Sequence, residues 1–211
     1  MRFMIALGLG LLYPALASAQ AQTGSVELGA GFGRFVGGSF AAGSTDAFDQ
    51  KLVAAHASLS GVWAGSQLTR DWGAEIAIRR TTTNLLQPAG GASVKQTPVA
   101  GFIFATIETS AIRSFRLGNC LPYVGLGAGL ANLNPEVPDP AVHDSNRFCV
   151  STMAGARYYF ARWVGVRVEF RGRATYLGKG RFGTDKGFVD GARWFTNADV
   201  LGGAFLSFGG N

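Results

Sequence analysis

VGVRVEFRGRATYLG, residues 164–178, carries Arg167, Glu169, Arg171 and Arg173 at every second position of an otherwise apolar run. A helix turns every 3.6 residues and would scatter these charges round its circumference, whereas a strand puts all four on one side. The other side then shows Val164, Val166, Val168 and Phe170, followed by Gly172, Ala174 and Tyr176. One face wants an apolar environment and the other wants charge partners. In a water-soluble sandwich the charged face would meet bulk water; in a membrane barrel it would line a polar lumen.

The flanking sequence decides between them. The chain starts MRFMIALGLGLLYPALASAQ, with Arg2, an apolar run to about Tyr13, and Ala17-Ser18-Ala19 as a cleavage signature, so residues 1–19 read as a secretory signal peptide. Pro14 and the small residues after it cut the run short of the length a helical anchor needs. Residues 20–211 then form the mature chain, a length that suits one domain. Thirty-one glycines, 12% aromatic residues and only 15% charged residues are unusual for a soluble domain. No second apolar run is long enough for a helical span, so a membrane location implies a closed barrel, the other structure that satisfies every backbone amide in lipid.

Alternation recurs along the chain. Val26, Leu28, Ala30 and Phe32 oppose Glu27, Gly29, Gly31 and Gly33. In the second strand Val53, Ala55, Ala57, Leu59 and Trp63 are expected to face outward, and His56, Ser58 and Ser60 inward. Trp72, Ala74, Ile76 and Ile78 oppose Glu75 and Arg79. In the fourth strand Ile103, Ala105 and Ile107 compete with Phe102 and Phe104 for the outer face, and Glu108 argues for the first set. Val124, Leu126, Ala128 and Leu130 oppose Tyr123, Gly125, Gly127 and Gly129; the hairpin 149–176 and the closing strand TNADVLGGAFLSF follow. Connections alternate between roughly 11–18 and roughly 3–8 residues, the asymmetry of outer-membrane barrels with long external loops and short periplasmic turns. A secreted Greek-key sandwich has no reason to show it. The expected fold is all-β: an eight-stranded antiparallel up-and-down transmembrane β-barrel over residues 20–211.

Two segments carry a resemblance. LPYVGLGAGL (121–130) and GARYYFARWVGVRVEFR (155–171) resemble strands of the small OmpA/OmpX-type outer-membrane barrels. The resemblance implies insertion by the barrel-assembly machinery, although Phe208 is followed by Gly209, Gly210 and Asn211 where such barrels often end on an aromatic. It does not extend to a peptidoglycan-binding segment, so no cell-wall tether is expected.

An eight-stranded barrel is just wide enough for side chains to fill. The residues expected inside are Glu27, Glu75, Arg79, Glu108, Arg157, Arg167, Glu169, Arg171 and Arg173, with Asp199. Buried charges are costly unless paired, so a plug of reciprocal ion pairs is the favoured reading and a narrow path for small anionic solutes the alternative. His56-Ala57-Ser58 resembles the His-x-Ser of outer-membrane lipid A hydrolases, but lumenal parity would hide both groups from lipid. His143, Asp139 and Asp144 in an external loop make no convincing metal site, and no catalytic, cofactor or metal residues are expected. Glycines 125, 127 and 129 precede no helix, which excludes a dinucleotide loop. Lys179, Arg181, Lys186 and Arg193, interspersed with aromatics in the last loop, suit contact with lipopolysaccharide phosphates or another anionic surface ligand. Nucleic acid is not expected at that location. A monomeric surface or structural barrel results. Cys120 and Cys149 are expected at opposite ends of a spanning strand, too far apart for a disulfide, with Cys149 the more reachable from outside.

Overall fold

A computed structural model describes residues 23–42, 51–87, 97–136, 145–177 and 194–209. It contains β1 (Val26–Val36), β2 (Ser39–Ala42), β3 (Lys51–Ala54), β4 (Ala57–Gln67), β5 (Trp72–Gln87), β6 (Thr97–Ser114), β7 (Cys120–Glu136), β8 (Ser145–Ala161), β9 (Val164–Tyr176) and β10 (Trp194–Phe208). Eight of these close a ring in the order β4-β1-β10-β9-β8-β7-β6-β5, with every pairing antiparallel. Sequence alternation anticipated this closed eight-stranded barrel. The short β2 and β3 form an extra hairpin within the β1–β4 connection, and β3 leans on the end of β5 through Val53 and Leu86.

The hydrogen-bonded register fixes the barrel's dimensions. Following partners once round from Val36, through Ala198, Gly172, Thr152, Leu126, Ala111, Ala74 and Ser66, returns to β1 at Val26, ten residues lower. A stagger of ten on eight strands tilts them by about 40° and leaves a bore that side chains can fill. Connections 68–71, 115–119 and 162–163 gather at one end, the turn end, with Val26 and Phe208; the longer ones leave the opposite, loop end. Gln67 braces the first turn by donating to the carbonyls of Thr69 and Arg70 at 3.0 and 3.3 Å.

Outward positions are apolar: Leu28, Val62, Ile76, Ile78, Ile107, Leu126, Leu130, Val168 and Phe170 are all exposed. Aromatics bound this band, with Trp72, Tyr158, Phe160 and Phe208 at the turn end and Phe148, Tyr176 and Trp194 at the loop end. In β6 the inward set is Phe102, Phe104, Thr106 and Glu108, which resolves the strand the sequence left open.

One strand reverses the expectation. In β4, Leu59 and Trp63 point inward and are buried, while Val62, Ser58 and Ser60 point outward; His56, just before β4, is exposed. The chain breaks at residues 55–56, where the β3 and β4 registers against β5 differ by one residue, and this flips the alternation between Ala54 and Leu59. Space explains the rest. Gly29 and Gly203 leave the lumenal wall bare beside Trp63, whose ring stands 2.2 Å from where a Cβ on Gly29 would be. A bulky indole belongs inside, and the small hydroxyls take the outer face.

Both cysteines are free. Register pairs Cys120 with Tyr158 and Cys149 with Gly129, so most of a strand separates them. Cys149 lies fully buried on the lumenal side, which corrects the expectation that it is the thiol reachable from outside.

Candidate functional site

The inward side chains stack in three layers. At the loop end, Phe35, Phe102, Phe104 and Phe195 form an aromatic cluster with Leu85, Leu133 and Leu177 in the same buried core. Phe104 stands 5.7 Å from both Phe35 and Phe195, centroid to centroid. This layer is apolar.

The middle layer holds the charges. Five carboxylates (Glu27, Glu75, Glu108, Glu169, Asp199) and five arginines (Arg79, Arg157, Arg167, Arg171, Arg173) are buried inside the barrel, so the formal charges cancel. Arg79 reaches from β5 to Glu169 and Asp199. Arg167 pairs with Glu75 and Glu169. Arg171 contacts Glu169 at 3.0 Å, Glu108 at 3.1 Å and Glu75 at 3.4 Å. Arg173 bridges Glu108 at 2.6 Å and Asp199 at 3.2 Å. Tyr123 donates to Glu169 at 2.7 Å and Ser151 to Glu108 at 2.6 Å. Each carboxylate thus accepts from several donors, the condition under which buried charge is tolerated.

At the turn end Arg157 pairs with Glu27 at 3.2 Å, and Trp63 donates its indole N–H to Glu27 at 2.8 Å. The Arg167 guanidinium lies 4.8 Å from the Trp63 ring centroid and 5.0 Å from that of Tyr123. Tyr159 and Phe205 stack edge to face below them at 4.9 Å. A cavity of about 10 Å³ among Ser25, Glu27, Gln67, Arg157 and Tyr159 has room for one water.

The structure therefore places all nine charged residues singled out from the sequence, and Asp199, in one lumenal network. Trp63, Tyr123 and the phenylalanine cluster belong to the same filling and were not singled out. The volume left by Gly29, Gly155 and Gly203 was the signal that could have found Trp63 and Tyr123. Lys179, Arg181, Lys186, Arg193, His143 and the signal segment 1–19 lie outside the described residues. Among the described residues, no three His, Cys, Asp or Glu side chains are grouped to hold a metal ion.

The geometry agrees with known structures. The chain superposes on Neisserial surface protein A with a TM-score of 0.58 at 16% identity, covering 90% of this chain and all of the other. It superposes on OprG from Pseudomonas aeruginosa with a TM-score of 0.64 at 13% identity (90% and 98% covered). Ail of Yersinia pestis, solved with the heparin analogue sucrose octasulfate, gives 0.51 at 12% identity (88% and 99% covered). The sequence matches no protein-family model, and no curated protein matches it. At these identities the likeness is one of fold. The chain has the fold of the small eight-stranded outer-membrane β-barrels.

Proposed function

We propose that the protein is a monomeric bacterial outer-membrane barrel with a closed lumen, serving a structural or surface-interaction role through its external loops. The neutral ion-pair layer under the aromatic layer supports this most directly, because among the described residues paired side chains fill the bore like a strut. Long connections at one end, and Lys179, Arg181, Lys186 and Arg193 in the last of them, favour an anionic surface partner such as lipopolysaccharide. That Ail was solved in complex with sucrose octasulfate, a polyanion, supports this choice of partner. Insertion would depend on the barrel-assembly machinery. In cells the protein should fractionate with outer membranes, migrate differently on gels before and after boiling, and expose loop 178–193 to added protease. Recovery from the soluble periplasm would overturn the reading.

Lipid A hydrolysis is a second reading, because His56 and Ser58 face outward at the loop end, where lipid could reach them. Against it, among the described side chains of the ten strands every carboxylate points into the lumen, so none stands on the outer wall to orient His56. His56→Ala should leave lipid A acylation in expressing cells unchanged. Loss of an acylation change that the parent produces would favour the enzyme.

A further inference from the structure

The outer wall carries a feature that a purely apolar belt would not. Arg34 on β1 and Arg80 on β5 both point outward and are exposed, on either side of β4. Arg34 pairs in register with Ser58, and Arg80 with Ser60. Two hydroxyls therefore fill the strand between two guanidinium groups. No ion pair among the described residues includes Arg34 or Arg80, and the described carboxylate side chains of the strands lie on the other side of the wall.

Their depth follows from the stagger. Ten residues over eight strands lower the ladder by about 1.25 residues per strand. On that scale Arg34 and Arg80 lie within one residue of the same height, about 5–12 Å along the axis below the loop-end aromatics Phe148, Tyr176 and Trp194. From there an arginine snorkels to the headgroup level, where its cost on a barrel's outer face falls to about 0–1 kcal/mol. The backbones of β1 and β5 are about 10 Å apart, two strand spacings, so two forks reaching up from them can converge on one tetrahedral anion.

We propose that Arg34 and Arg80, with Ser58 and Ser60 between them, bind a phosphate group of an outer-leaflet lipid. The guanidinium forks would take two phosphate oxygens and the serine hydroxyls would donate from below, while the acyl chains lie against the exposed Phe32 and Val62. This rests on the outer-membrane reading but concerns a site on the wall, separate from the loop cations.

The test uses the full mature protein refolded in nanodiscs containing bisphosphorylated lipid A or the same lipid with its phosphates removed. Lipid retained through detergent extraction is counted by native mass spectrometry. The parent should retain the phosphorylated lipid and not the dephosphorylated one. Arg34→Gln/Arg80→Gln should lower retention about tenfold, each single variant less, and Arg113→Gln at the turn end not at all. Unchanged heat-modifiable migration shows that a variant is folded. Should the double variant not fold, the single variants and a steep loss of parental retention between low and high salt carry the test. Equal retention by parent and folded variants, equal retention of the dephosphorylated lipid, or displacement by millimolar inorganic phosphate would overturn the proposal. Fractionation of the parent in cells tests the membrane location separately.

Discussion

Arg171 on β9 lies 3.4 Å from Glu75 on β5, the strand diametrically opposite in the eight-membered wall. A contact across the full diameter means that the bore is crossed by side chains at mid-height. Glu169, fully buried, gathers Arg79, Arg167 and Arg171 around that crossing.

Glu169 is therefore the carboxylate whose loss should cost most. Glu169→Ala leaves three arginines short of a partner and Tyr123 without its acceptor, and should lower stability by about 3–5 kcal/mol. Arg157→Ala should cost clearly less, since that side chain borders the water-sized cavity at the turn end. Urea unfolding from lipid vesicles measures both. A smaller effect for Glu169→Ala than for Arg157→Ala would mean that the middle layer is not the strut described.

Gly29 tests how the lumen is packed. A methyl there would overlap the Trp63 ring, so Gly29→Ala should destabilise by about 1–3 kcal/mol, the usual cost of overpacking. Adding Trp63→Leu should recover part of that loss by making room. Strict additivity of the two changes would show that the indole does not occupy the space over Gly29.

The thiols report on strand placement. Mass spectrometry of the alkylated, unreduced protein should find no Cys120–Cys149 bond. In the folded barrel Cys149 should resist alkylation while the part-exposed Cys120 reacts first. An intramolecular disulfide would contradict the β7–β8 register.

How much of this could be read in the sequence depended on whether polarity and size gave the same answer. In β1, β5, β7 and β9 they agree: charges or glycines alternate with large apolar residues, and the facing of Glu27, Glu75, Arg79, Arg167 and Glu169 was legible. In β4 they conflict. Trp63 is apolar yet inward, because Gly29 and Gly203 leave volume to fill; Leu59 shares its face, and Ser58 and Ser60 on the alternate positions are polar yet outward. Alternation alone then assigns the wrong face. The aromatic layer was legible only in part, since Phe102 and Phe104 look as suited to lipid as Ile103 does and only the parity of Glu108 argued for turning them inward. The break at residues 55–56 and the β2–β3 hairpin have no signal in a two-residue period.

The closed lumen is tested most directly by planar-bilayer recording on the purified, refolded barrel at neutral pH in molar salt. With Arg171 and Glu75 meeting across the bore beneath the phenylalanine layer, the baseline should show no steady unitary conductance. A persistent open level that moves toward cation selectivity when Arg167 and Arg171 are neutralised would contradict the account and make the lumen an anion path.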